Sequence, residues 1–147
     1  MKRSQRLTSV VDIAHKKTTE ALTLLGESNA LWQREKQQLA ELQSYKQEYL
    51  DKLRQGDTLA MTAKRVLEFR GFLAQVDQAI HAQQQQVNNS LKRLQYHQNL
   101  WQQAHSKEQA MQSLVDRYID DEIKTELKQE QQDNDERNTS QWIRKSK

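Results

Sequence analysis

Cysteine and proline are both absent from this chain of 147 residues, and glycine occurs only three times. Without cysteine there can be no disulfide and no thiolate metal site, a composition that suits a cytosolic protein. Without proline, the strongest interior helix breaker is missing. Hydrophobic residues make up 35% of the chain and aromatic ones 6%, with a mean hydropathy of −1.08. Such a chain cannot fill a wide interior, but it can bury one stripe per helix. No apolar run reaches the ~18 residues that a membrane span needs. Lys2, Arg3 and Arg6 are not followed by an apolar run, so no secretory signal is expected.

What the chain does contain is charge and glutamine. Charged residues make up 29% of it, with 23 basic against 20 acidic side chains, and glutamine occurs 23 times. Low hydrophobicity with high charge also describes disordered chains. Here the net charge is only +3, so self-repulsion is weak. A basic balance raises the question of nucleic acid. The lysines and arginines alternate with acids, however, as they do on a solvated helix surface, and no nucleic-acid partner is expected.

The organising stretch is Val66 to Tyr118. Alternating steps of three and four pick out Val66, Phe69, Leu73, Val76, Ile80, Gln83, Val87, Ser90, Leu94, His97, Trp101, Ala104, Glu108, Met111, Val115 and Tyr118, of which twelve are apolar. A period of 3.5 predicts a helix pressing a narrow seam against another helix. A second seam precedes it: Leu7, Val11, Ala14, Thr18, Ala21, Leu25, Ser28, Trp32, Glu35, Leu39, Leu42, Lys46, Tyr49 and Leu53, ten of them apolar. Leu22, Leu24 and Leu31 widen that stripe. Gly26 lies within it, as a soft point or as a place where another chain comes close.

Between the seams lies Arg54-Gln55-Gly56-Asp57-Thr58. Gly56 fits the position just past a helix end, and Asp57, Thr58 or, further on, Thr62 can cap the next helix. Ser4, Thr8 or Ser9 can cap the first. The pattern predicts an all-α fold, a long antiparallel two-helix coiled-coil hairpin over residues 1–132. Its parts are helix 1 at about 5–54, a turn at about 55–58, helix 2 at about 59–132, and a flexible polar tail over 133–147. A turn at Gly56 to Thr58 makes paired residue numbers sum to roughly 114. Past about Glu108 the second helix would then have no partner. Met111, Leu114, Val115, Tyr118 and Ile119 would form an uncovered apolar stripe that calls for an external partner.

Catalytic chemistry is not legible. His15, His81, His97 and His105 do not pair at metal-ligand spacing. There is no glycine-rich phosphate loop and no nucleophile constellation. Asp120-Asp121-Glu122 reads as a solvated acidic face, because two helices offer no concave site to desolvate it. The chain is expected to be no enzyme, to have no catalytic residue and no metal site, and to need no cofactor. Its work is expected to be done by surfaces.

One surface stands out. Gln38, Leu42, Tyr45 and Tyr49 share a stripe on the first helix, and Phe72, Val76, Ala79 and Gln83 share one on the second. The expected register sets Leu42 beside Phe72 and Gln38 beside Val76, with Tyr45 and Phe72 partly exposed at the seam edge. Ordinary flank packing is the alternative reading of these aromatics.

In length, hairpin layout, Leu24-Leu25-Gly26-Glu27, Tyr45-Lys46-Gln47-Glu48-Tyr49, the Phe72–Ile80 segment and Trp101 in its basic, glutamine-rich surroundings, the chain resembles the flagellar export protein FliJ family. The resemblance implies an antiparallel coiled coil similar to the central stalk of rotary ATPases. It would stand in the flagellar type III export ATPase ring, contact the cytoplasmic domain of the membrane export gate and handle export chaperones. Such a protein would be cytoplasmic and peripheral at the cell membrane, without insertion into it. Gln38, Leu42, Tyr45, Tyr49, Phe72, Val76, Ala79 and Gln83 would bind the gate, although Gln83 stands where the family pattern carries histidine. Met111, Leu114, Val115 and Tyr118 would meet the ATPase ring. A virulence-type secretion stalk and a dimerising coiled-coil scaffold are the rival readings. The absence of strand segments separates the chain from jellyfish-like folding chaperones.

Overall fold

The computed structural model describes residues 2–55 and 62–145. Two helices account for nearly all of them, α1 (Arg3–Gln55) and α2 (Ala63–Lys145). They pack against each other as an antiparallel hairpin, the all-α fold expected from the two seams. The expected turn residues Gly56, Asp57 and Thr58 lie outside the described residues. α2 is capped by Thr62, whose hydroxyl accepts from the Arg65 N–H at 3.4 Å while its carbonyl accepts from Val66 N–H at 3.1 Å. This satisfies amides that a helix start otherwise leaves without partners.

The periodicity is borne out residue by residue. All thirty seam positions, fourteen on α1 and sixteen on α2, are buried or half-buried. The most deeply covered are Ala14, Val76, Leu94 and Val115, together with the small polar residues Ser4, Thr18, Ser28 and Ser90. A two-helix seam covers each side chain from one direction only. Small side chains therefore disappear between the helices, while Trp32, Tyr49 and Trp101 stay half-buried. Of the three leucines expected to widen the first stripe, Leu31 is half-buried, but Leu22 and Leu24 are exposed.

The chain divides into two compact units, one of residues 1–19 with 103–147 and one of residues 20–102. In the second, Gln83 Nε2 donates to the Glu35 carbonyl at 2.9 Å and to its carboxylate at 2.5 Å. This explains how two polar residues occupy seam positions. Lys46 reaches Asp77 at 2.6 Å, and the Lys36 ammonium lies 3.6 Å from the Trp32 ring centroid. Gly26 sits within α1, and a Cβ added there would meet nothing within 4 Å. Close approach inside this chain is therefore not what the glycine provides.

In the first unit the helices are pinned by polar side chains. His15 Nδ1 and Glu108 Oε1 lie 2.5 Å apart. Ser4 was a candidate cap for α1, but its hydroxyl instead donates across to Glu122 Oε2 at 2.7 Å, and its N–H donates to Glu122 Oε1 at 3.3 Å. A carboxylate at the first turn of α1 complements the positive end of that helix. Lys2 pairs with Glu126.

These pairs correct the register. Partnered numbers sum to 117 at Tyr45–Phe72, 123 at His15–Glu108 and 128 at Lys2–Glu126, against the 114 expected. α1 ends at Gln55 and α2 begins at Ala63. The stretch from Met111 to Tyr118 is therefore no unpartnered overhang. Val115 is only 4% exposed, Met111, Leu114 and Tyr118 are half-buried, and the Arg3 guanidinium lies 6.0 Å from the Tyr118 ring centroid. α2 also runs on to Lys145, where a flexible tail from 133 was expected. Residues 127–145 are exposed throughout. They are rich in good helix formers and free of proline, so the helix has no local reason to stop.

Candidate functional site

The unit of residues 20–102 carries an aromatic cluster built by four side chains, two from each helix. On α1, Tyr45 and Tyr49 are four residues apart, and on α2, Phe69 and Phe72 are three apart, so each pair shares one helix face. Tyr49 lies between both phenylalanines, its ring centroid 5.4 Å from Phe69 at 20° and 4.4 Å from Phe72 at 46°. Tyr45 meets Phe72 edge-on at 6.1 Å and 68°. These are favourable geometries for aromatic quadrupoles. Both phenylalanines of the chain are spent here.

The cluster is only partly internal. Tyr45 is 52% exposed, and Phe72, Tyr49 and Leu42 are half-buried. Gln38 and Ala79 are exposed, whereas Val76 is buried in the seam. Gln83 is committed to Glu35. The eight residues singled out from the sequence thus fall into a covered floor and an accessible rim, the rim being Gln38, Tyr45, Ala79 and the outer edge of Phe72. Phe72 meets Tyr45 and Tyr49, one to two turns nearer the connection than the expected neighbour Leu42. Phe69 belongs to the cluster but was counted only in the seam. Its spacing of three from Phe72 is the signal that could have added it.

In the unit of residues 1–19 and 103–147, Val10, Ile13 and Ala14 of α1 face Ala104 and Met111 of α2 across a cleft of about 130 Å³, flanked by Lys17 and Lys107. Met111 is thus at a surface, as expected, but one shared with α1. Leu114, Val115 and Tyr118 support it from the seam. An apolar stripe that α1 leaves exposed does exist, two turns further along at Ile119, Ile123 and Leu127.

Electrostatics in this unit centre on two carboxylates. The hydrogen bond from His15, helped by one from Thr18, holds the Glu108 carboxyl below its ordinary value. The Ser4 hydroxyl, helped by the Ser4 amide and the charge of Lys2, does the same for Glu122. Lys2 is raised by its hydrogen bond to Glu126. Among the described residues, no three histidine, aspartate or glutamate side chains come together as metal ligands would. No helix among them is long and apolar enough to cross a membrane.

Compared with known proteins, residues 2–147 match the family model described as Flagellar FliJ protein. The chain is also similar to the Flagellar FliJ protein of Escherichia coli (strain K12), with 29% identity over 111 residues that cover 76% of each chain.

Proposed function

The chain belongs to the flagellar FliJ family, and from that premise we propose that it is a stalk-like, non-enzymatic component of the flagellar type III protein export apparatus. In this reading it couples the export ATPase ring to the cytoplasmic domain of the membrane export gate and handles export chaperones while the flagellum is assembled. It acts in the cytoplasm, peripheral to the membrane. Family membership supports the flagellar role over a virulence-type stalk or a plain scaffold.

The observation that carries the gate-binding half of this reading is the exposure of Tyr45 over Phe72. An aromatic rim held rigid by Tyr49 and Phe69, on an otherwise glutamine-rich surface, presents wide contact area at low entropy cost, as interface hot spots do. Gln38 and Ala79 border it. Leu42, Val76 and Gln83 act beneath it by fixing the two helices under the rim. At the other unit, Met111, Leu114 and Tyr118, set by the buried Val115, form the surface that meets the ATPase ring, extended by Ile119, Ile123 and Leu127.

The test is binding of the purified chain to the gate's cytoplasmic domain and, separately, to the export ATPase. Tyr45→Ala and Phe72→Ala should each weaken gate binding by about 2 kcal/mol while ATPase binding holds. Gate binding that survives both substitutions would remove the aromatic rim from the reading.

A further inference from the structure

A second groove in the unit of residues 20–102 has no part in this reading. Leu24, Glu27, Leu31 and Arg34 recur at three- and four-residue spacing on α1, and Arg93 and His97 do so on α2, so each set lines one helix edge. Together they wall a groove of about 430 Å³ whose floor includes the buried Ser28. Leu31 and Arg93 also line the adjoining hollow of about 180 Å³ with Glu35 and Ser90.

Three features of this groove bear on what it would hold. Leu24 is exposed and Leu31 half-buried, so apolar surface lies open along the α1 wall. Arg34 and Arg93 are exposed, and neither guanidinium makes an ion pair among the described residues. Their planar forks are suited to bidentate carboxylate binding. Behind this lining, Nδ1 of His97 is covered and has no hydrogen-bond partner, so the two helices do not satisfy one another fully at this level.

We infer that this groove docks an acidic amphipathic helix of a partner protein, its leucine-type side chains on Leu24 and Leu31 and its carboxylates on Arg34 and Arg93. A helix laid into a groove anchors apolar residues at spacings of three and four, which the edge on α1 matches. A phosphate polymer fits less well. Glu27 sits among the lining residues and repels a continuous polyanion, and the leucines contribute nothing to a phosphate backbone.

The full chain can be tested by fluorescence anisotropy against a labelled helical peptide of about five turns, with leucines along one stripe and glutamates beside them. Its twin carries lysines in place of the glutamates. The acidic peptide should bind saturably, weaken as salt rises and lose about tenfold in affinity in Arg34→Glu/Arg93→Glu. The milder Arg34→Gln/Arg93→Gln should give the same direction of change with the helical circular dichroism intact. Phe72→Ala should leave this binding unchanged, which separates its failure from failure at the aromatic rim. Absence of saturation, equal binding of the lysine twin, indifference to both arginine variants, or displacement by a short single-stranded RNA acting through the same arginines would each overturn the inference.

Discussion

The two units hold their helices together by different means. Residues 20–102 do it mainly with rings and seam residues, the four-membered aromatic cluster and half-buried Trp32 and Trp101, joined by polar clasps at Gln83–Glu35 and Lys46–Asp77. Residues 1–19 and 103–147 have no phenylalanine and one seam aromatic, Tyr118. They rely on Val115 and Ala14 beneath a set of charge-assisted contacts, His15–Glu108, Ser4–Glu122 and Lys2–Glu126. Apolar burial does not titrate and is not screened by salt, whereas exposed charge contacts depend on pH and are screened. The difference shows that one continuous heptad pattern can be locked by two kinds of chemistry, and substitutions can separate them.

The largest effect is expected from Leu114→Asp combined with Val115→Asp. Val115 is the most covered apolar residue among the described ones, and a carboxylate there would be placed in the seam. Burying an unpaired charge of this kind costs several kcal/mol, on the order of 3–5. Thermal melting followed by circular dichroism should show an early transition for the 1–19/103–147 unit. A melt like that of the parent chain would mean that pairing ends near Glu108 after all, and that the stripe is free. Trp101→Ala should come next, at about 2–4 kcal/mol, below the usual cost of a buried tryptophan because the ring is only half-covered. Urea unfolding would measure it, and a loss below about 0.5 kcal/mol would show that the ring contributes little to the seam.

Gly26→Ala should act in the opposite direction. With nothing within 4 Å of the added methyl group, the change should stabilise α1 by about 0.5–1 kcal/mol. A lower melting temperature would show that the added methyl group meets a cost within the chain that the open space around Gly26 does not predict. The smallest effect is expected from acid. Glu108 and Glu122 both have folded values below their ordinary one. The stability they contribute is therefore present above the unfolded carboxylate value and lost as pH falls through the lower, folded one. Melting temperature should decline below pH ~4, and Glu108→Gln/Glu122→Gln should flatten that decline. An acid profile unchanged in the double variant would assign it to other carboxylates.

Much of this arrangement could be read from the chain before its fold was known. The seam list holds at every position because burial along one helix follows from its own 3.5 period. Tyr45 and Phe72 were rightly placed at an edge, since they lie one step off that period. Leu22 and Leu24 were misjudged for the same reason in reverse. Being apolar, they seemed to widen the stripe, but a single partner helix is too narrow to cover them. The end of α2 was misjudged because a change from apolar to acidic residues ends a seam without ending a helix.

The sequence by itself determined that there would be two long helices, which residues each would turn inward, and that the aromatics near the connection would gather at one edge. These are properties of local periodicity, and each helix carries them alone. Only the tertiary structure decided which inward residue meets which. Sliding one helix past the other by a whole heptad leaves every seam residue facing the seam, so periodicity cannot choose among the slides. The choice was made by contacts that exist in one register only, such as Gln83 on Glu35 and Ser4 on Glu122. That choice covers Val115 and leaves Ile119, Ile123 and Leu127 exposed.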